Sequence, residues 1–157
     1  MNSKNQTLYK YFGMWPVAPT PFHENGEIDY EGMKRVLDCM VDQKVEGICI
    51  LANYSEQFLL SDEEREKLTK LCMKRIDRRV KTIVAVSHFA TDIVRSRAEL
   101  AKSLEADIIM MMPPYHGALL KGNADQTFEQ FNEISKINIP IMIQDAPLSG
   151  IELTVPL

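Results

Sequence analysis

The sequence predicts an α/β protein with parallel strands, part of an incomplete (β/α)8 TIM barrel. Short apolar runs alternate with amphipathic helical segments along the chain. The runs are apolar throughout, as in strands buried on both faces, and intervening helices imply parallel pairing through crossovers. The first βα loop, APTPFHENGEID, contains neither GxGxxG nor GxxxxGK[ST]. A doubly wound nucleotide-binding sheet therefore lacks its usual signature, which favours the barrel.

About five strands and four helices are expected. A closed barrel needs eight strand and helix units in about 250 residues, and the 157 residues present are about five eighths of that length. We therefore expect a single domain, residues 1–157, that is the N-terminal portion of a barrel truncated before strand six. The expected strands lie at 14–18, 47–51, 82–86, 107–112 and 140–144.

Helix starts are indicated by capping residues. Asp29 is predicted to cap the first helix, and Ser61 with Glu64 gives the second a capping-box pattern. Thr91 is the expected cap of the third helix, and the fourth begins at about Ala124. Residues at helical spacing on the expected buried faces are Met33, Val36, Leu37, Met40, Val41, Leu68, Leu71, Cys72, Ile76, Val94, Ala98, Ala101, Leu104, Phe128, Phe131 and Ile134.

Charge and hydropathy exclude several classes of partner. Lys plus Arg is 18 against 22 Asp plus Glu, a formal charge of -4, so no basic field favours nucleic acid or anionic lipid. The longest apolar stretch, Ile108 to Pro114, is far shorter than the roughly 20 residues that cross a bilayer. The N-terminal MNSKNQTLYKYF lacks the apolar core of a signal peptide. A cytoplasmic location is expected.

Cysteine and histidine spacings favour neither a disulfide framework nor a metal site. No CxxC pair is present, and the cysteines expected to be buried free thiols are Cys39, Cys49 and Cys72. The histidines His23, His88 and His116 show no HxH or HExxH spacing. We expect no metal and no cofactor.

Candidate active-site residues are chosen by position, because barrel active sites lie at the carboxyl ends of the strands. Tyr115 is the leading candidate for proton transfer, since a phenol held on a rigid loop after two prolines can pass protons. A packing or interface tyrosine is the alternative. The other candidates that follow predicted strands are Thr20, Asn53, Tyr54, Ser55, Glu56, His88 and Gln144.

Two of these candidates have structural alternatives. Glu56 is either a buried acid or a carboxylate that binds the backbone amides of its own loop, and the second role is favoured. His88 either caps its loop through a hydrogen bond or contacts substrate. Both residues are therefore assigned supporting roles, as is Thr20.

Five motifs in order resemble one enzyme family. APTPF, NGEID, ANYSEQFLLSDEER, MMPPYHG and PIMIQDAPLSG together resemble the dihydrodipicolinate synthase and N-acetylneuraminate lyase family of class I aldolases, over nearly all of residues 13–157. The resemblance implies a (β/α)8 barrel, commonly a homotetramer. It also implies a small keto acid substrate, whose keto group condenses with a lysine on strand six.

The chain departs from the usual family motifs at three places. GTTGE after strand two is replaced by ANYSE, which keeps only Glu56. Tyr115 matches the relay tyrosine after strand four, whereas the tyrosine of YNxP after strand five is replaced by Gln144 in QDAP. The arginine that synthases carry shortly after YNxP has no counterpart in PLSG. These departures argue against dihydrodipicolinate synthesis.

The substituted motifs resemble more closely the L-2-keto-3-deoxyarabonate dehydratase branch of the family. Such enzymes form a Schiff base with a 2-keto-3-deoxy sugar acid and expel water, giving 2-oxoglutarate semialdehyde. Asn53, Ser55 and Gln144 suit hydrogen bonding to the carboxylate and hydroxyls of that substrate, with Tyr54 beside them, and Tyr115 is the remaining titratable candidate. A pyruvate-dependent aldolase of the same family and a truncated, non-catalytic barrel remnant are the alternatives.

The Schiff-base lysine is not expected within these 157 residues. A βαβ unit takes about 30 residues, which places a strand-six lysine roughly 20 to 30 residues beyond Gln144. Lys81 precedes a strand, and so lies at the wrong end of the barrel, and Lys121 lies in the loop beyond Tyr115. The 157-residue chain alone is therefore expected to be inactive.

Overall fold

The computed structural model describes residues 11–116, 120–146, 149–151 and 153. Contacts divide the chain into two compact units, residues 1–82 and 83–157. In the described residues, no helix is long and apolar enough to cross a lipid bilayer.

The first unit contains the first two predicted helices and the second predicted strand. Helix α1 spans Tyr30–Asp42, strand β1 Gly47–Ile50 and helix α2 Asp62–Ile76. A single 3-10 turn, Asn53–Ser55, follows β1. Strand β2, Lys81–Ala85, begins in this unit and ends in the second.

The first predicted strand, 14–18, is reduced to one parallel bridge between Val17 and Cys49. The Ala18 N–H donates to the Cys49 carbonyl at 2.8 Å, and the Cys49 N–H donates to the Pro16 carbonyl at 2.9 Å. Prolines at positions 16 and 19 have no N–H to give to a ladder, so a longer run of strand pairing cannot form here.

Both predicted N-caps of the first unit are confirmed. The Asp29 carboxylate accepts from the Gly32 N–H at 2.7 Å at the start of α1. Ser61 and Glu64 form a reciprocal capping box on α2, with donor to acceptor distances of 3.2 and 2.8 Å. These bonds satisfy N–H groups that the first turn of a helix leaves without partners.

The apolar faces of α1 and α2 form the helical part of the first unit's core. Met33 and Leu37 of α1 are buried, as are Leu68, Cys72 and Ile76 of α2. The expected residues Val36, Met40, Val41 and Leu71 are only partly buried.

An ion cluster joins α1 and α2 at the edge of this core. Arg75 Nε lies 3.1 Å from a carboxylate oxygen of Asp38, and Arg79 Nη2 lies 2.8 Å from the other. These guanidinium contacts lower the pKa of the Asp38 carboxyl from 3.8 to about 2.

The second unit continues the alternation of strand and helix. Strand β3 spans Ile108–Met111 and strand β6 Ile141–Ile143, while helices α3 and α4 span Thr91–Ser103 and Ala124–Ser135. Strand β3 pairs in parallel with β2 on one side and with β6 on the other. Parallel pairing of these predicted runs is confirmed.

A short antiparallel hairpin, which the sequence analysis did not predict, lies between β3 and α4. Strand β4, Tyr115–His116, pairs with strand β5, Leu120–Lys121. The two strands have two residues each, too few for period-two alternation to be recognised in the sequence.

Two helix predictions of the second unit need correction. The cap of α3 is Ala90, without a side-chain hydrogen bond, and Thr91 is the first helical residue. In α4, Phe128 is 70% exposed although its spacing predicted burial. The buried face instead carries Thr127, Gln130 and Ile134. The Thr127 hydroxyl donates to the Asn123 carbonyl within the helix, and Gln130 Nε2 donates to the loop after β2.

The prediction that all three cysteines are buried is wrong for Cys39, which is exposed. Cys39 lies two positions beyond the buried Leu37, which places it on the opposite side of α1. Cys49 and Cys72 are buried as predicted, and burial raises the pKa of each thiol to about 12.

Candidate active site

The segment after β1 begins with an unusual backbone conformation. Leu51 was expected inside the strand, but β1 ends at Ile50 and Leu51 has φ 58°. Glu56, at the end of the following 3-10 turn, also has φ 58°. Left-handed backbone is unfavourable for residues with a Cβ, and such conformations concentrate at functional sites.

Ser55 and Thr20 hold this segment against the end of the first predicted strand. The Ser55 hydroxyl donates to the Ala18 carbonyl at 2.6 Å, and the Thr20 hydroxyl donates to the Ser55 carbonyl at 2.8 Å. Both side chains are buried. The structure therefore brings these two candidates together, and the Ser55 oxygen keeps only acceptor capacity toward any other group.

Asn53, Tyr54 and Glu56 occupy three different environments in the same turn. The Asn53 amide oxygen accepts from Gln57 Nε2 at 2.6 Å. Tyr54 is 83% exposed. The Glu56 side chain is exposed and makes no hydrogen bond or ion pair within the described residues, so it is neither a buried acid nor a ligand of its loop's amides there.

Two further residues, Gln57 and Arg65, hold this turn in place and were not predicted from the sequence. Both residues are buried, and Arg65 Nη1 donates to the Gln57 carbonyl at 3.2 Å. Arg65 lies on the row of α2 that also carries the buried Leu68, Cys72 and Ile76. A basic residue on an apolar row was the signal that could have identified it.

In the second unit, Ser87 and His88 follow β2. The Ser87 hydroxyl oxygen accepts from the Met112 N–H at 3.0 Å. His88 Nδ1 accepts from the Ala90 N–H at 3.0 Å, so the neutral imidazole carries its proton on Nε2. The ring stacks on Phe89, with 4.2 Å between the ring centroids. The predicted loop-capping bond of His88 is therefore present.

Gln144 follows β6 and has an unpaired polar atom. Its backbone N–H donates to the Met111 carbonyl at 2.9 Å. Its side-chain Oε1 is buried and has no hydrogen-bond partner within the described residues. A buried carbonyl oxygen without a donor is costly, and it offers a ready acceptor for a ligand hydroxyl.

Tyr115 begins strand β4, but its side chain lies outside the described part of the chain. Its backbone position after β3 agrees with the position expected from the sequence, and its role stays a prediction.

Groups of three or more His, Cys, Asp or Glu side chains arranged to hold a metal ion are absent from the described residues. The candidate residues described in each unit carry hydroxyl and carboxamide groups, and those of the second unit include an imidazole. Such groups suit hydrogen bonding to a substrate with carboxylate and hydroxyl groups.

A model of the dihydrodipicolinate synthetase family matches residues 10–156. The chain belongs to this family. Its parallel β/α repeats thus confirm the predicted fold class, because the structurally similar members of the family are (β/α)8 barrels of which this chain covers a part.

Several family members show the extent of the similarity. The L-2-keto-3-deoxyarabonate dehydratase of Azospirillum brasilense is 44% identical over 148 residues, which cover 94% of this chain and 48% of that protein. A 4-hydroxy-tetrahydrodipicolinate synthase of Bartonella bacilliformis is 30% identical over 129 residues, 82% of this chain and 43% of that protein. The crystal structure of N-acetylneuraminate lyase from Mycoplasma synoviae has a TM-score of 0.81 and 31% identity, covering 90% of this chain and 48% of that one.

The chain spans about half the length of the curated relatives it matches. A complete active site of such relatives can therefore draw on residues outside the part that this chain covers.

Proposed function

We propose that the full-length gene product is a Schiff-base dehydratase, a hydro-lyase that converts L-2-keto-3-deoxyarabonate to 2-oxoglutarate semialdehyde. The observation that carries the proposal is the 44% identity to a dehydratase of that name over 94% of the chain. The identity to the Bartonella synthase is lower, at 30%. The residues that replace the usual family motifs, ANYSE after β1 and Gln144 after β6, are consistent with a different substrate from that of the synthases.

The proposed reaction proceeds through a covalent iminium. The amine of a lysine attacks the C2 keto group and water leaves, which makes the protons on C3 acidic. Loss of one C3 proton gives an enamine, whose electrons expel the C4 hydroxyl as water once that oxygen receives a proton. Movement of a proton from C5 to C3 then gives an enol between C4 and C5. Transfer of the enol hydroxyl proton to C4 gives the C5 aldehyde, and hydrolysis of the iminium releases the semialdehyde and the lysine.

The chain's own residues supply hydrogen bonds around this chemistry. Asn53 offers amide donors to the substrate carboxylate, while the Ser55 oxygen can only accept, because its proton is donated to Ala18. The Gln144 Oε1 accepts from a substrate hydroxyl, since it is buried and no donor among the described residues reaches it. Tyr115 transfers the proton to the leaving hydroxyl.

The remaining candidates have supporting roles in the proposed site. Thr20 holds the backbone of Ser55 in place. His88 presents Nε2 as a hydrogen-bond donor to the substrate, because Nδ1 is the acceptor of its ring. Tyr54 and Glu56 are exposed in the same turn as Asn53 and line its outer side.

None of the lysines among these 157 residues is assigned as the lysine that forms the Schiff base. Lys81 is the first residue of β2, at the amino end of that strand. A Schiff-base lysine needs burial or a nearby positive charge that lowers its pKa below the usual value of about 10.4. We further propose that the full-length product is a cytoplasmic homo-oligomer, as is common in this family.

Trapping with borohydride tests the covalent step. The full-length gene product is incubated with pyruvate or with L-2-keto-3-deoxyarabonate, reduced with borohydride and weighed by mass spectrometry, beside the 157-residue polypeptide as a control. We expect one stoichiometric adduct on the full-length product and none on the short polypeptide. Specific labelling of the short polypeptide would show that the nucleophile lies within residues 1–157.

Product analysis separates dehydration from carbon–carbon cleavage. Conversion of L-2-keto-3-deoxyarabonate to a product lighter by one water supports the dehydratase. Release of pyruvate instead would identify an aldolase of the same family. No turnover of any 2-keto-3-deoxy sugar acid, together with no borohydride adduct, would identify a non-catalytic barrel remnant.

A further inference from the structure

The loop after β2 is held by side chains from both helices of the second unit. Arg97 of α3 donates from Nη1 to the Ser87 carbonyl at 2.7 Å. Gln130 of α4 places Nε2 3.4 Å from the carbonyl oxygens of His88 and Phe89 and 3.4 Å from the hydroxyl of Thr91. Three consecutive carbonyl groups of the loop therefore have a side-chain donor.

Burial of the Gln130 side chain at this position costs free energy, because one of its polar atoms has no partner in the described part of the chain. Its side chain is 3% exposed, and Oε1 is buried without a partner within the described residues. The three neighbouring acceptors fix the amide orientation, because only the NH2 end can face them. An apolar side chain would avoid the unpaired oxygen, so the presence of glutamine indicates that its donor end is needed at the loop.

The loop backbone in turn fixes the imidazole of His88. Nδ1 accepts from the Ala90 N–H within the same loop, which selects the tautomer with its proton on Nε2. The ring also stacks on Phe89, at an interplanar angle of 26°. A shift of the His88 and Phe89 carbonyls would therefore move both the stacking partner and the group that selects the tautomer.

We propose that Gln130, assisted by Arg97, is a positioning residue that orients the His88 imidazole toward the keto acid substrate. This inference rests on the proposed function, in which His88 donates from Nε2. Neither Gln130 nor Arg97 contacts substrate in this proposal. Each acts through the backbone of the loop.

Variants of the full-length gene product test this role. Gln130→Met keeps the side-chain length and removes the donor, and Gln130→Glu places a carboxylate against the carbonyl oxygens. Arg97→Lys is a second, independent change at the loop in case the Gln130 variants fold poorly. Glu129→Met is the matched control, since Glu129 is exposed on the same helix.

The first readout does not need activity. Nitrogen chemical shifts of the His88 imidazole, measured where the ring is neutral, report which nitrogen carries the proton. We expect the Nε2–H tautomer in the unchanged protein and in Glu129→Met, and a mixture of tautomers in Gln130→Met, Gln130→Glu and Arg97→Lys. An unchanged tautomer in every folded variant would overturn the proposal.

The second readout is a double-mutant cycle in kcat/KM. Gln130→Met is expected to lower kcat/KM about tenfold, as misplacement of an orienting group does, and to have no further effect when His88→Ala is already present. An effect of equal size in both backgrounds would mean that Gln130 acts on the fold and not through His88, and would overturn the proposal. Lack of turnover in the unchanged protein, with the tautomer shifted as expected, would refute the proposed function and leave the positioning role supported.

Discussion

At the scale of single residues, a substitution of Gln144 is expected to affect substrate turnover and protein stability in opposite directions. Its buried, unpaired Oε1 costs on the order of 1–3 kcal/mol relative to a satisfied oxygen. Gln144→Met removes this oxygen while keeping the side-chain length. We expect the free energy of unfolding to stay constant or rise, and kcat/KM of the full-length product to fall about tenfold, as expected for the loss of roughly 1.4 kcal/mol in the transition state.

The matched control for this change is Gln43→Met, because Gln43 is exposed just after α1. It should leave kcat/KM unchanged. Chemical denaturation and steady-state kinetics measure the two quantities. If Gln144→Met kept full activity, the proposed acceptor role of Gln144 would be wrong.

Removing the Ser55 hydroxyl is expected to lower stability, unlike the change at Gln144, because this hydroxyl forms a buried hydrogen bond within the protein. Ser55→Ala leaves the Ala18 carbonyl without its donor, which lies at 2.6 Å. We expect a loss of about 1–3 kcal/mol in the free energy of unfolding, measured by denaturant titration. Ser103→Ala, which removes an exposed bond to the Leu100 carbonyl, should cost much less. Equal losses would contradict the structural role of Ser55.

Single residues were predicted unequally well from the sequence. Position after a strand selected Ser55 and Gln144 as candidates, because strand ends follow from apolar runs and turn residues. It could not show that the Ser55 proton is donated to Ala18 or that Leu51 turns left-handed, since both depend on segments far apart in the chain. Gln130 was missed because helical spacing placed Phe128 on the buried face instead.

At the scale of elements, the start of α3 has an unused capping position. Ala90 is the N-cap with extended backbone, φ -89° and ψ 122°, and no side-chain hydrogen bond. A serine has the same backbone preference there and can accept from an N–H of the first turn. Ala90→Ser is expected to stabilise the protein by about 0.5–1 kcal/mol. A shift in the midpoint of thermal unfolding measures this gain.

The existing cap of α2 provides the comparison. Ser61→Ala removes one half of the capping box and should destabilise by about 1 kcal/mol. If Ala90→Ser left the stability unchanged while Ser61→Ala lowered it, the loop before α3 would be unable to present a side-chain oxygen to the helix.

The contact between α1 and α2 predicts a dependence of stability on acid. Hydrogen bonds from Arg75 and Arg79 hold the pKa of Asp38 at about 2, below the usual 3.8. Between these values the unfolded state binds more protons than the folded state. The contribution of Asp38 to stability is therefore fully present well above pH 3.8 and is lost as the pH falls through 3.8 toward about 2. Asp38→Asn should remove this part of the acid sensitivity.

Asp42→Asn is the control for the acid experiment, because Asp42 is exposed at the end of α1 and has no ion pair within the described residues. Unfolding curves collected at steps from pH 5 to pH 2 give the comparison. If the free energy of unfolding depended on pH in the same way in the Asp38→Asn protein and in the unchanged protein, this contact would not be a source of the acid sensitivity.

Elements were predictable where local signals are strong. Four helices and four strands lie near their expected positions, because capping residues and long periodic runs determine them locally. The first strand was overestimated, since two prolines withhold the N–H groups that pairing needs. The hairpin of β4 and β5 depends on pairing between very short segments, which periodicity does not reveal.

At the scale of the whole molecule, strand β6 exposes apolar surface. Met142 is 40% exposed and Ile143 50%, and in the described residues β6 pairs only with β3. Open strand edges with apolar side chains template pairing with other chains. The 157-residue polypeptide expressed alone is expected to self-associate, as measured by sedimentation velocity. Met142→Lys should reduce that association, and a cooperatively folding monomer of the unchanged polypeptide would contradict the expectation.

The uneven burial of the three thiols makes Cys39 a selective attachment point within these 157 residues. Cys39 is exposed on α1, whereas Cys49 and Cys72 are buried with pKa values of about 12, so almost none of either is the reactive thiolate near neutral pH. A maleimide dye should therefore modify Cys39 alone while the first unit is folded. The rate at which the dye later modifies Cys49 or Cys72 would then report the rate at which β1 or α2 opens, so the two buried cysteines are probes of local unfolding.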